Sequence, residues 1–307
     1  MQKIVTIGGG TGHFQVLRGL KNYECQLTAV VNMSDDGGSS GKLRDEYGVL
    51  PPGDVRQCMV ALADEKKGRL LRDLFKHRFK DGHNLGNLII TALTQITGSA
   101  AEGIKEAAKL LHIAGKVLPV TTDDVKLFAE TDDNIILEGQ WNVSYPEQGV
   151  KIKKIFFKPD AFVFKEAADE IRSADKVVIC PGDFYGSVVP NFLVKGISEA
   201  LHQSRALKIF VCNIVTKQGN ENFKAGDFVA EAERYAGIKF DKILLNSGLP
   251  PKEVVDTYLS EHSRIVADDL LSDLRVVRGD FVQAYPSEPK TILRHIPEKI
   301  ARAIISL

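Results

Sequence analysis

Short apolar runs alternate along the chain with longer segments whose apolar residues recur at helical spacing. Lys3–Ile7 is a β-branched run that stops at a glycine cluster, and Phe14, Leu17 and Leu20 follow three residues apart. Runs of this length predict strands, and recurrence every three to four residues predicts amphipathic helices. Their alternation predicts βαβ units and an α/β fold, with a mostly parallel sheet covered by helices on both faces.

The same pattern predicts the other elements of this sheet. Further strands are predicted at Leu27–Val31, Val117–Val120, Val177–Cys180, Lys208–Cys212 and Lys242–Leu245. Further helices are predicted at Val55–Ala63, Leu70–Phe79, Leu85–Ile96 and Ile104–Leu111.

One stretch, near residues 121–158, breaks the alternation. Val125–Glu130 and Ile135–Gln140 flank a polar turn at residues 132–134, and Val150–Phe157 follows. Two strands joined by a short polar turn predict an antiparallel hairpin. We therefore expect a single α/β domain over residues 1–307, with a β-rich insert near 121–158.

The charges of the chain balance, and this narrows the range of partners. There are 40 Lys+Arg and 40 Asp+Glu residues, and the four cysteines show no CxxC spacing. Proteins that bind the phosphate backbone usually carry a basic excess, so we expect no nucleic-acid partner. No apolar run approaches the roughly 20 residues of a membrane span, and scattered cysteines favour a reducing compartment. We expect a cytoplasmic protein without a membrane partner.

A first glycine loop, residues 8–12, lies between the first predicted strand and helix. Glycine lets the backbone approach a ligand closely, and a helix N-terminus offers N–H groups to an anion. Binding of a phosphate or nucleotide is expected here from Gly9, Gly10, Thr11 and Gly12. A standard NAD site is disfavoured, because His13 holds the third glycine position and no acidic residue ends the second strand.

A second glycine loop, residues 34–41, follows the second predicted strand. Loops at the carboxyl ends of parallel strands line the ligand crevice, so both glycine loops are expected to face it. The loop is not a Walker A motif, because Asp36 holds its first glycine position and Leu43 follows its lysine. Ligand contacts are expected from Asp36, Gly37, Ser39 and Ser40. Asp35 and Asp36 offer oxygens to Mg²⁺, and a solvated acidic turn is the alternative.

Two more polar clusters precede predicted helices. Asp54 is placed to cap a helix, and Arg56 in its first turn is expected to meet a phosphate or a loop carboxylate. His83 and Asn87 share one helix face if that helix begins early, and they could then hydrogen-bond a base, sugar or phosphate. Ordinary capping by Asn84 beside a surface histidine is the alternative.

Four motifs occur in one order and together resemble a known family. They are Ile-Gly-Gly-Gly-Thr-Gly at 7–12, Ser-Asp-Asp-Gly-Gly-Ser-Ser-Gly at 34–41, Pro-Pro-Gly-Asp-Val-Arg at 51–56 and His-Asn-Leu-Gly-Asn-Leu at 83–88. This set resembles the 2-phospho-L-lactate transferase (CofD-like) superfamily, and specifically its YvcK/GlmR branch, the gluconeogenesis factors of UPF0052. The likeness continues at residues 117–122, 181–191, 211–213 and 294–295, which is almost the whole chain.

The resemblance implies a Rossmann-like fold with a nucleotide crevice. Transferase members move a phospholactyl-type group from a guanylyl-diphosphate donor onto a deazaflavin alcohol, with Mg²⁺. The YvcK/GlmR branch is viewed as binding UDP-sugars, notably UDP-N-acetylglucosamine, and as linking carbon metabolism to cell-wall precursor synthesis and cell shape. The binding positions that carry over are Thr11, Asn213, Tyr258 and Arg294, with Gly182 in the loop at 181–191. The implied partner is an enzyme that makes glucosamine phosphate, and NAD is an alternative ligand.

Two departures from the family pattern concern the segment Cys180-Pro181-Gly182-Asp183 and the residues after the first glycine loop. Cys180 and Asp183 replace a glycine and a serine, and His13 and Phe14 replace aliphatic residues. A carboxylate at position 183 would repel a diphosphate unless it binds a metal or turns away.

Three function hypotheses follow. The first is a non-catalytic UDP-sugar-binding regulator, and the second is a transferase with Asp35, Asp36 and Asp54 around Mg²⁺. The third, a dinucleotide-binding oxidoreductase, is disfavoured by the first glycine loop. No catalytic residue is assigned, although His13 or His83 could act as a general base or as a hydrogen-bonding contact. A homodimer is expected from symmetry statistics.

Overall fold

The chain folds into alternating strands and helices, as its apolar pattern predicts. The computed structural model describes residues 1–64, 68–287 and 290–307. The strands are β1 (Gln2–Gly8), β2 (Cys25–Val31), β3 (Lys116–Pro119), β4 (Lys126–Thr131), β5 (Ile136–Glu138), β6 (Ile152–Lys158), β7 (Lys176–Ile179), β8 (Leu207–Val211), β9 (Lys242–Asn246), β10 (Val276–Gly279), β11 (Val282–Tyr285) and β12 (Ile292–His295). The helices are α1 (Gly10–Leu20), α2 (Gly38–Tyr47), α3 (Gly53–Leu62), α4 (Arg69–Lys76), α5 (Leu85–Thr97), α6 (Ala100–Leu110), α7 (Gln140–Ser144), α8 (Lys165–Ser173), α9 (Ile197–Gln203), α10 (Ala225–Ala236), α11 (Lys252–Ser260) and α12 (Pro297–Ser306). A π-helical turn at Phe184–Val188 and a 3₁₀ turn at Val189–Leu193 follow β7.

A seven-stranded parallel sheet forms the centre of the fold. Its strand order is β10-β9-β8-β7-β1-β2-β3, and every neighbouring pair is parallel. The inner strands β7 and β8 are apolar because helices cover both faces of a parallel sheet. The predicted α/β class with a Rossmann-like parallel sheet is therefore confirmed.

The sheet has a switch point between β1 and β7. From β1 the chain moves outward to β2 and β3, then returns to β7 and continues outward on the other side. In open α/β sheets, ligands bind outside the carboxyl ends of the strands at such a point. Helix α1 lies very close to the loop after β7, because a Cβ on Gly12 would be 2.0 Å from the carbonyl oxygen of Pro181. Only glycine allows this approach.

The insert contains the predicted antiparallel hairpin. Strands β5, β4 and β6 pair antiparallel in that order. The predicted strand ending at Gln140 is wrong at its end, since Gln140–Ser144 forms α7. Its first two N–H groups donate to the carboxylate of Asp36, which is distant in sequence, so local patterning could not reveal this helix.

Other boundaries also differ from the predictions. Helix α2 begins at Gly38, inside the segment predicted as a loop. The N-cap position of α3 is Pro52, so the prediction that Asp54 caps this helix is wrong; Asp54 lies within the first turn. The antiparallel pair β11–β12 was not predicted. None of the described helices is long and apolar enough to span a membrane.

Candidate functional site

A cavity of about 690 Å³ lies beside the switch point. Its wall comes from the start of α1, the loops after β7 and β8, the end of α11, β12 and Tyr145, which directly follows α7. A volume of this size is typical of a small-molecule site. Seven residues of the predicted site line it: Gly10, Thr11, Gly12, Gly182, Asn213, Tyr258 and Arg294.

The N-terminus of α1 offers backbone donors to the cavity, although the N–H of Gly10 already donates to the buried Asp54 carboxyl. Its N-cap residue, Gly9, makes no side-chain cap, and its first turn contains no acidic residue. Thr11 is exposed at this end, and the two flanking glycines leave the backbone accessible. The partial positive charge of a helix N-terminus favours an anion such as a phosphate.

Two amide side chains that line the cavity carry buried oxygens without a hydrogen-bond partner among the described residues. Asn213 Nδ2 donates to the carbonyl oxygen of Gly182 at 2.8 Å, which fixes the side chain. Its Oδ1 is buried and has no hydrogen-bond partner among the described residues, and the same holds for Oε1 of Gln15. Because buried polar atoms are nearly always hydrogen-bonded, these two oxygens are suited to ligand donors.

Three cations line the cavity, and they differ in their pairing. Lys217 Nζ lies 2.5 Å from a carboxylate oxygen of Asp183, and Lys290 pairs with Glu261. Arg294 forms no ion pair within the described part of the chain, and burial lowers the pKa of its guanidinium. A desolvated cation without a counterion favours an anionic ligand.

The Asp183 carboxylate does not face the cavity as a free charge. One oxygen accepts from Gly186 N at 3.0 Å, and the other pairs with Lys217. The repulsion of a diphosphate expected from this family departure is thereby relieved.

Tyr258 lies next to Arg294 in a small apolar cluster, and its hydroxyl oxygen accepts from Leu293 N at 3.0 Å.

Six of the other predicted residues form a second group beneath the first glycine loop. We call it the polar network, and its members are Asp35, Ser39, Ser40, Asp54, Arg56 and Asn87. Asn87 Nδ2 donates to Ser39 Oγ at 3.2 Å, and Arg56 Nε donates to Asn87 Oδ1 at 2.9 Å. No member lines the cavity among the residues that the structure describes. The network therefore supports the wall from behind.

Two carboxyl groups of the polar network have unusual proton affinities. Burial raises the pKa of Asp54 to about 8, the charge of Asp35 adds to this, and the Gly10 N–H and Arg56 oppose it. Burial also raises the pKa of Asp35, whose oxygens accept from Ser40 and from Gly37 N. Gly9 lies against the Asp54 carboxyl.

The predicted metal ligands are only partly brought together. Asp35 and Asp54 are neighbours, but the Asp36 carboxylate turns to α7. In the described ranges, no three His, Cys, Asp or Glu side chains are grouped to hold a metal ion. Mg²⁺ commonly uses one or two carboxylates together with ligand phosphates, and Asp35 with Asp54 fits that smaller donor set.

The two motif histidines do not line the cavity. His13 is fully buried, lies 2.8 Å from Thr6 Oγ1, and burial lowers its pKa to about 3. It is therefore a neutral core residue rather than a general base. His83 precedes α5 and does not share its face, whereas Asn84 caps the helix by accepting from Asn87 N at 3.2 Å. Asn84 thus caps the helix as the alternative expected, but His83 is half-buried, and its Nδ1 is buried without a hydrogen-bond partner among the described residues.

Several cavity residues were not identified from the sequence. Gln15 follows Thr11 by one helical turn, so helical spacing could have identified it. Tyr145 reaches the cavity from the insert, and Lys290 precedes a strand that was not predicted. Neither carries a local sequence signal.

Comparison with known proteins shows which family the chain resembles. A family model described as 2-phospho-L-lactate transferase CofD matches residues 4–282. The chain belongs to this family. Among its relatives, a gluconeogenesis factor of Bacillus subtilis is 39% identical, covering 99% of this chain and 98% of the relative. A gluconeogenesis factor of Halalkalibacterium halodurans is 38% identical, covering 99% of this chain and 96% of the relative.

Solved structures agree with this membership. A crystal structure of a Bacillus halodurans protein superimposes with a TM-score of 0.92 at 38% identity, covering 99% of both chains. A second crystal structure from that organism, described as a member of the UPF0052 family, also gives 0.92. The predicted membership in the gluconeogenesis-factor branch of the CofD-like superfamily is confirmed.

Proposed function

We propose that this member of the CofD family binds a nucleotide-diphosphate sugar of the UDP-N-acetylglucosamine type in the cavity. The observation that carries the proposal is the Arg294 guanidinium, which forms no ion pair with the described residues and shares the cavity with the N-terminus of α1. Together they supply positive charge for a diphosphate in a protein of zero net charge.

The polar lining fits the uncharged parts of such a ligand. Asn213 Oδ1 and Gln15 Oε1 are acceptors suited to hydroxyl or amide donors of a base or sugar. The proposed role is regulatory: binding of the nucleotide sugar would report the supply of cell-wall precursors and link it to carbon metabolism and cell shape. A metabolic enzyme partner, such as one that makes glucosamine phosphate, is part of this proposal.

The experiment is calorimetric titration with UDP-N-acetylglucosamine, GDP, NAD and NADP, each with and without Mg²⁺. Replacing Arg294 with alanine removes hydrogen bonds to a charged group, so affinity should fall about 10- to 150-fold. Arg302→Ala, at an exposed position of α12, is the matched control and should leave affinity unchanged. Binding of NAD alone, or equal affinity of the Arg294 variant, would contradict the proposal.

The alternative function is an Mg²⁺-dependent transferase that uses a nucleotide-diphosphate donor. The observation that favours it is the buried pair Asp35 and Asp54 beneath the first glycine loop, a carboxylate arrangement compatible with Mg²⁺. Turnover of an activated donor that Asp54→Asn abolishes, while nucleotide binding persists, would support the transferase over the regulator.

A further inference from the structure

Helix α7 of the insert is tied to the second glycine loop by the side chain of Asp36. The two carboxylate oxygens of Asp36 accept from Gln140 N at 2.7 Å and from Trp141 N at 2.8 Å. Gly139 precedes the helix with φ +91°, and a Cβ there would lie 2.6 Å from Asp36 Oδ2. The backbone of the insert is therefore shaped to receive this carboxylate.

An aromatic pair lies at this short helix, with Trp141 inside it and Tyr145 directly after it. The rings of Trp141 and Tyr145 have centroids 4.4 Å apart. Tyr145 lines the cavity, and Lys217 Nζ lies 3.6 Å from the centroid of its ring. Tyr145 is nonetheless 47% exposed, so much of its surface is available for contact.

We propose that Asp36 is a positioning residue, which holds α7 so that Tyr145 contacts a ring of the bound nucleotide sugar. Asp36 was expected from its motif to touch a ligand or a metal ion, but both of its oxygens are already used by α7. An aromatic side chain of this kind binds the flat face of a base or sugar ring by stacking. The inference deepens the proposed function and depends on it for the identity of the ligand.

The test uses Trp141, which is the only tryptophan of the chain. In the ligand-free protein, Asp36→Ala should shift its emission to longer wavelength and increase quenching by acrylamide, since the N-terminus of α7 loses its acceptors. Affinity for UDP-N-acetylglucosamine should fall about tenfold, the scale of losing a helix cap. Asp132→Ala, an exposed carboxylate of the same insert, should change neither.

Asp36→Asn separates positioning from a metal or charge role. Asparagine keeps one of the two acceptor oxygens but turns an NH2 donor toward the other N–H, so it should restore only part of the emission and affinity. A metal ligand would instead make affinity in the wild type depend on Mg²⁺. Asp36 variants that weaken binding only when Mg²⁺ is present, with the ligand-free emission unchanged, would therefore overturn the inference.

Tyr145 is tested by a pair of substitutions. Tyr145→Ala should weaken binding about tenfold, whereas Tyr145→Phe, which keeps the ring, should bind like the wild type. A loss seen with both UDP and UDP-N-acetylglucosamine assigns the contact to the base, and a loss with the sugar nucleotide alone assigns it to the sugar. Unchanged affinity of Tyr145→Ala overturns the contact.

The two levels of the proposal can fail separately. If the wild type binds no nucleotide sugar, the proposed function fails. The Trp141 emission of ligand-free Asp36→Ala still tests whether the Asp36 carboxylate positions α7. If the wild type binds and the emission of Asp36→Ala is unchanged, the positioning role fails alone. Circular dichroism of each variant shows that the fold is retained.

Discussion

The two glycine loops are similar in sequence but have different tasks. The first presents the N-terminus of α1 to the cavity through Gly10–Gly12. The second starts α2 as well, but no residue of 34–41 lines the cavity in the described part of the chain. Ser39 and Ser40 bond inside the polar network, and Asp36 accepts from the N-terminus of α7.

The difference follows from the place of each strand in the sheet. β1 adjoins the switch point, where neighbouring loops diverge and leave a crevice, whereas β2 lies one strand away. In this fold the glycine-rich loop whose strand borders the switch point lines the cavity, and the other glycine-rich loop does not. Sequence motifs give no strand order, so they could not distinguish the two loops.

The largest expected effect comes from adding one methyl group to each loop. In Gly12→Ala the new Cβ meets the backbone of Pro181, which cannot move aside, so the free energy of unfolding should fall by about 3 kcal/mol or more. Gly38→Ala has open space around its Cβ but φ +50°, and it should cost about 1 kcal/mol. Urea unfolding measures both, and equal losses would show that the contact between α1 and the β7 loop yields easily.

A smaller effect is expected from the polar network. Asn87→Ala removes the partner of Arg56 Nε and of Ser39 Oγ, so stability should fall by about 1–3 kcal/mol. Affinity for UDP-N-acetylglucosamine should stay the same, because Asn87 supports the wall without lining the cavity. Asn22→Ala, at an exposed site, is the control for stability. A loss of affinity at unchanged stability would place the network in contact with the ligand.

The sequence predicted the central fold and the first loop well. Strand–helix alternation and the glycines of residues 8–12 are local signals, and the structure follows them. The hydrogen bonds from α7 to Asp36 join residues about 100 positions apart in sequence. The position of Tyr145 at the cavity depends on contacts between separate elements. Periodicity along the chain predicts neither. Family resemblance supplied Asn213, Tyr258 and Arg294, which local patterns would not have singled out.

The smallest expected effect is a pH dependence of stability that comes from Asp54, whose carboxyl lies beneath the first glycine loop. Its pKa is about 8 in the folded protein and near 4 in the unfolded chain, so between these values only the folded state keeps the proton. Stability from this group therefore falls as pH rises from about 4 to 8, by at most about 1.4 kcal/mol per pH unit. His13 acts in the opposite direction, because its folded pKa of about 3 makes stability rise with pH up to about 6.5.

The difference in unfolding free energy between wild type and Asp54→Asn, measured in urea from pH 5 to 9, isolates the carboxyl. As pH rises to about 8, the wild type should lose unfolding free energy relative to Asp54→Asn, and above pH 8 the difference should be constant. A difference that is constant from pH 5 to 9 would mean that Asp54 is ionised in the folded protein throughout this range.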